Sequence, residues 1–132
     1  GGDTSHSKNF VYKRYLEGKN NNLVYSNDAQ IGSPTYVVDL VEQIKILINS
    51  GQLGTYNCVN DAKDISRYCY VRKIIELFEL DCKVKKAPEN TFRRRAPVSN
   101  NESAINYKLD LLKINCMGSW DEALQRYIDT LK

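Results

Sequence analysis

The sequence predicts an α/β fold, and more narrowly one part of a larger α/β fold. Helical and strand-like segments alternate along the chain, the pattern of α/β architecture. The strand-like segments number only three, and one of them reads as buried, too few for a self-sufficient sheet. The 132 residues, 42% apolar and 27% charged, are nonetheless ordinary globular material, long enough to bury a core.

The elements follow in order. Ser7 to Glu17 reads as a short helix, capped by Ser5 or Ser7 and stopped by Gly18. The polar run Lys19 to Asn22 reads as a turn, and Leu23-Val24-Tyr25 as a short strand. Ile31 to Thr35 is expected to be irregular, because Pro34 drives Ser33 into an extended conformation. Val37, Leu40, Val41, Ile44, Leu47 and Ile48 then recur at the helical period, with Gly51 as the stop. Gly54 to Asn60 reads as a strand. Ser66 caps a helix whose buried stripe is Cys69, Val71, Ile74, Ile75 and Phe78 and which ends near Leu80-Asp81. Lys83-Val84-Lys85 is a strand of alternating exposure, Pro88 to Glu102 a loop, and Asn106 to Leu112 a short helix. Ser119 and Glu122 have the spacing of a capping box, opening a helix with Leu124, Tyr127, Ile128 and Leu131 on one face.

Several function classes are excluded or disfavoured. No apolar run approaches the length of a membrane span, and the N-terminal residues lack the pattern of a signal peptide. The net charge of +3 is too small to imply nucleic acid. The four cysteines form no C-x-x-C pair, and His6 is the single histidine, so neither a zinc site nor a histidine-based nucleophile is expected. The thiols read as reduced, small buried side chains of a cytoplasmic protein. The sequence contains no G-x-G-x-x-G, no phosphate-loop motif and no G-x-S-x-G. Tyr15 and Lys19 fit Tyr-x-x-x-Lys, but Gly18 between them reads as a helix end, which would take the pair off a common face.

Two segments remain as candidates. Gln30-Ile31-Gly32-Ser33-Pro34-Thr35-Tyr36 sets an amide, a proline and a hydroxyl just before a strong helix. It suits either a loop that touches a phosphorylated or polyhydroxylated ligand or a proline turn with Thr35 as helix cap. Arg93-Arg94-Arg95 suits either phosphate, through forked guanidinium donors, or a solvated charge run.

Lys8-Asn9-Phe10-Val11, Asp28 to Tyr36 with Asp39-Leu40, Gly54 to Asn60, Ile65-Ser66-Arg67-Tyr68 and Ser119-Trp120-Asp121-Glu122-Ala123-Leu124 together resemble, in order, the dTDP-4-dehydrorhamnose reductase family. These are extended short-chain dehydrogenases that reduce the 4-keto group of a nucleotide-linked deoxysugar with NAD(P)H. The resemblance implies that residues 1–132 are the C-terminal, substrate-binding portion, comprising the last Rossmann strand and a mixed α/β lobe. The NAD(P)-binding Rossmann portion, with the family's catalytic tyrosine and lysine, is then absent from this chain, which alone binds no cofactor. Carried over residue by residue, the resemblance implies substrate contacts at Asn9, Phe10, Gln30, Pro34, Thr35 and Ser103. Arg95 is the phosphate contact on the same comparison, because the family's loop arginine precedes its serine and here the arginines lie further upstream. The implied partners are a nucleotide-diphosphate deoxysugar and the missing Rossmann portion, with no nucleic acid and no membrane; a homodimer stays open. The rival readings are a non-enzymatic regulatory or binding module of the same fold and, less favoured, an RNA-binding domain using the arginine triplet.

Overall fold

The computed structural model describes residues 2–88, 91 and 99–132. Its elements are α1 (Phe10–Asn20), β1 (Leu23–Ser26), β2 (Ile31–Gly32), α2 (Val37–Asn49), β3 (Ile65–Ser66), α3 (Arg67–Leu77), β4 (Lys83–Lys86), β5 (Asn101–Glu102), α4 (Tyr107–Leu111) and α5 (Trp120–Asp129). β1 and β4 pair in parallel with Val24 opposite Val84. β2 lies between β3, antiparallel with Ile31 opposite Ser66, and β5, parallel with Ile31 opposite Asn101. Among the described residues no helix is long and apolar enough to cross a membrane.

The core is helical. Val11 of α1, Ile74 of α3 and Leu124, Tyr127 and Ile128 of α5 form one buried cluster. Val71 and Ile75, on the next face of α3, pack with Val24 of β1 in a second. The 3.6-residue period of these positions is what lets α3 serve both clusters. Ser66 caps α3 as expected, its hydroxyl accepting the Cys69 N–H at 3.2 Å.

Several elements depart from the sequence reading, each for a local reason. α1 begins at Phe10, not Ser7, because Asn9 is the cap, its carboxamide oxygen accepting the Tyr12 N–H. Gly18 does not stop α1 but lies buried inside it. A Cβ there would stand 2.3 Å from Ile75 Cδ1 and 3.0 Å from Leu80 Cδ1, so glycine sets the approach of α1 to α3. α3 ends at Leu77, short of Leu80-Asp81, and Cys69 and Phe78 are half-buried rather than buried. The N-cap of α2 is Tyr36, whereas the Thr35 hydroxyl turns back to donate to the Ser33 carbonyl. Ser119 occupies the N-cap of α5, but its side chain makes no capping bond. None of the cysteines is buried: Cys58, Cys69 and Cys82 are half-buried and Cys116 is exposed, all as free thiols. Ile31–Gly32 and Asn101–Glu102, expected in irregular segments, are short strands of one sheet.

Gly54 to Asn60, expected as a strand, pairs with no strand among the described residues. A ladder needs a neighbour. Here the side chain of Asn106 stands in for one, accepting the Val59 N–H at 3.0 Å and donating to the Val59 carbonyl at 2.8 Å.

The apolar stripe of α2 exists, but it faces outward. Val37, Val41 and Ile44 are 48%, 43% and 43% exposed, and Ile48 71%. The side of α2 turned into the lobe is polar: Asp39 is 8% exposed and Gln43 fully buried. Gln43 donates to the Ile114 carbonyl at 3.0 Å and accepts the Cys116 N–H at 2.8 Å. Asp39 accepts from Asn60 at 2.7 Å and forms an ion pair with Arg126.

This inversion has a measurable signature in equilibrium urea denaturation of the 132-residue chain. Gln43→Ala removes a fully buried side chain and its two part-buried hydrogen bonds and is expected to destabilise by about 1–3 kcal/mol. Ile48→Lys, a loss of an apolar side chain, is expected to change stability by no more than about 0.5 kcal/mol. Equal costs at the two positions would contradict the orientation of α2.

Candidate functional site

A cleft of about 430 Å³ opens between the β2–β3 ribbon and the starts of α1 and α3; Phe10, Gln30, Pro34, Arg67, Tyr70 and Glu102 are among the residues that line it. Three of the residues expected at a site therefore converge: Phe10, Gln30 and Pro34. Each is placed by its own element. Phe10 is the first residue of α1, fixed by the Asn9 cap. Gln30 precedes β2, and its carbonyl accepts the Arg67 N–H at 3.0 Å. Pro34 follows β2 in a segment tied to the chain after β5, where Ser33 Oγ accepts the Ala104 N–H at 3.0 Å.

The turn leading to Gln30 is pinned from two sides. Asp28 accepts the Ser66 hydroxyl at 2.8 Å and pairs with Lys86 at 2.6 Å. The Lys86 ammonium, followed by the Ser66 hydroxyl, holds the Asp28 carboxyl below its ordinary value. Ser66 thus caps α3 and anchors the approach to Gln30 with one hydroxyl.

One wall is aromatic. Phe10 stacks on Tyr70 with ring centroids 5.9 Å apart and planes at 17°, and Tyr70 in turn meets Trp120 at 5.9 Å. The guanidinium carbons of Arg14 and Arg67 lie 5.1 and 5.8 Å from the Phe10 centroid. Such contacts hold a cation over a ring without neutralising it. Burial, and next the neighbouring Tyr127, push the Tyr70 phenol up to about 12.

The remaining expected residues sit elsewhere. Asn9 is buried, its amide donating to the Tyr127 hydroxyl at 2.6 Å and to the Asp3 carbonyl at 3.1 Å. Thr35 lines a separate crevice of about 30 Å³ that shares Pro34 and Tyr70 with the cleft. Ser103 is exposed, its hydroxyl donating to Asn101 Oδ1 at 2.6 Å. Arg95, with Arg93 and Arg94, lies outside the described residues. Arg67 and Tyr70 were missed as site residues. The usable signal was their position: Arg67 directly follows a helix cap, and Tyr70 lies one turn further on, on the same side of α3.

Among the described residues no group of His, Cys, Asp and Glu is arranged to hold a metal ion. What the cleft offers is binding chemistry: an aromatic wall, a carboxamide, a carboxylate and a guanidinium. Its state can be read from Tyr70. A phenol raised from 10.0 to about 12 favours the folded state while neutral, so this contribution is present below pH 10 and is lost as the pH rises towards 12. Alkaline difference absorbance is expected to show a late tyrosine step that Tyr70→Phe removes; a Tyr70→Phe titration identical to the wild type would contradict the burial.

The sequence matches the family described as RmlD substrate binding domain over residues 4–132. Among solved structures, a dTDP-4-dehydrorhamnose reductase from Clostridium acetobutylicum, an RfbD ortholog, is 29% identical with a TM-score of 0.87, and the match covers 94% of this chain and 44% of that one. The dTDP-4-dehydrorhamnose reductase of Bacillus anthracis, solved in complex with NADP, is also 29% identical, with a TM-score of 0.85 and coverage of 97% and 45%. The reductase of Yersinia enterocolitica, 22% identical, shares the fold with a TM-score of 0.88 over 100% of this chain and 46% of that one. The chain thus spans less than half the length of each of these reductases. No curated protein matches it. With the match running over nearly its whole length, the chain belongs to the RmlD substrate-binding-domain family of the dTDP-4-dehydrorhamnose reductases.

Proposed function

We propose that this chain is the substrate-binding part of a nucleotide-sugar 4-ketoreductase, holding a nucleotide-diphosphate deoxysugar for reduction by NAD(P)H in the cytoplasm. The observation that carries the reading is the convergence of Phe10, Gln30 and Pro34 on one cleft, in a chain matched over residues 4–132 to a substrate-binding domain. Phe10 and Tyr70 offer an apolar wall to a sugar or base, and the Gln30 carboxamide can exchange hydrogen bonds with hydroxyls. Asn9 caps the helix that Phe10 opens, and on the same reading Thr35, Ser103 and Arg95 contact the ligand from outside this cleft, Arg95 at the diphosphate.

The residues here do not suit the dinucleotide itself. No glycine-rich turn leads from a strand into a helix among the described residues, so NAD(P)H and the proton-transfer groups are assigned to a separate NAD(P)-binding half. The outward stripe of α2 is the surface we assign to that half. It is apolar, its inward side is fully committed to polar bonds, and more than half of each matched reductase lies beyond the region this chain covers. Held against that half, the cleft contributes positioning, which lowers a barrier without any reacting group of its own.

The test joins these residues to the NADP-binding part of the Bacillus anthracis reductase. NADPH oxidation dependent on a 4-keto nucleotide sugar is expected from the joined protein and not from the chain alone. Oxidation by the chain alone would overturn the division of labour; binding without turnover in the joined protein would favour a regulatory module. Within the joined protein, Arg95→Ala is expected to weaken nucleotide-sugar binding by about 1.5–3 kcal/mol, the scale of a charged hydrogen bond. Unchanged affinity by calorimetry would return Arg95 to a solvated charge.

A further inference from the structure

Gln30 and Arg67 face each other across the β2–β3 ribbon. Ile31 is opposite Ser66 in the antiparallel register. The next pair outward is therefore Gln30 and Arg67, joined by the Arg67 N–H to Gln30 carbonyl bond at 3.0 Å. Gln30 immediately precedes β2 and Arg67 opens α3, and both line the cleft.

The charge at this pair is open. Arg14, the other guanidinium against Phe10, forms an ion pair with Glu17. Arg126 pairs with Asp39, and Lys86 with Asp28. Among the described residues no carboxylate lies within ion-pairing distance of Arg67. Its guanidinium carbon is 5.8 Å from the Phe10 centroid, so an aromatic face, rather than an acid, orients it. A guanidinium held near a ring rather than by an acid keeps its forked N–H donors, which match phosphate oxygens, available to a ligand.

We infer that Arg67 is an anion-binding residue of the cleft and that, with Gln30 beside it, it reads the junction between a phosphate and a hydroxyl-bearing group. The ligand class, a sugar diphosphate, rests on the function proposed above; the anion contact itself rests on the ribbon geometry. Arg67 then grips the diphosphate from the start of α3. Lysine would restore the charge but not the forked donors.

The test titrates the 132-residue chain with inorganic pyrophosphate and with dTDP, following heteronuclear NMR shifts that include the arginine Nε–H groups. Pyrophosphate is expected to shift the Arg67 Nε–H signal and the amides of Gln30 and Tyr70. Arg67→Ala is expected to weaken both ligands at least tenfold, and Arg67→Lys to recover only part of the loss. Arg72→Ala, the same charge loss on α3 but among residues outside the cleft, is expected to stay within twofold of wild type. Pyrophosphate binding equal in Arg67→Ala and wild type, equal losses in Arg67→Ala and Arg72→Ala, or no binding by the wild type would each overturn the inference. Arg67-dependent pyrophosphate binding combined with no turnover in the joined protein would leave it standing while the reductase reading failed.

Discussion

The arrangement hangs on a buried amide. Asn60 is fully buried and accepts the Tyr36 N–H at 2.8 Å, while its own NH2 donates to Asp39 at 2.7 Å and to the Gly118 carbonyl at 3.0 Å. One side chain therefore ties the start of α2 to the residues just before α5. The Arg126–Asp39 pair extends the tie into α5 itself. Leaving such groups buried without partners would cost about 1–3 kcal/mol each, so the network discriminates strongly against turning α2 over. With the polar side committed inward, the apolar stripe has only one direction left.

That constraint also positions the cleft. The Tyr36 N–H held by Asn60 fixes the end of the segment that carries Pro34, and Ser33 fixes its start through Ala104. Asp28 and Ser66 fix the approach to Gln30. The helical core of α1, α3 and α5 then sets Phe10 against Tyr70 and Tyr70 against Trp120. The cleft is assembled from residues distant in sequence, each held by a short polar contact rather than by a continuous sheet.

Much of this was legible in the sequence where the signal is local. The Ser66 cap, the α3 stripe through Val71, Ile74 and Ile75, and the α5 face of Leu124, Tyr127 and Ile128 follow from helical periodicity and capping chemistry. What escaped was relational. Gly18 reads locally as a stop, yet here its missing side chain makes room for Ile75 and Leu80. The stripe of α2 reads as core, but periodicity reports that a face is apolar, not what covers it. Gly54 to Asn60 reads as a strand, and strand formation depends on a partner the segment cannot specify. Of the cleft lining, Gln30 and Pro34 belong to a segment that stands out in the sequence, and Phe10 was named only through the family resemblance. Arg67 escaped as a site residue, because its significance lies in the register of a ribbon only two residues long on each side.

The outward face of α2 leaves Val41, Ile44 and Ile48 open to solvent. Burying a wholly exposed Val or Ile is worth about 1.5–3 kcal/mol; Val41 and Ile44 are 43% exposed, so covering what remains is worth about 1 kcal/mol each. Hydroxyl-radical footprinting reads side-chain exposure there directly. The account predicts that Val41, Ile44 and Ile48 oxidise readily in the chain alone, while Ile74 and Ile128 stay protected. It predicts that the first three become protected once the NAD(P)-binding half is joined. Protection of the stripe in the isolated monomer, or unchanged reactivity in the joined protein, would contradict it.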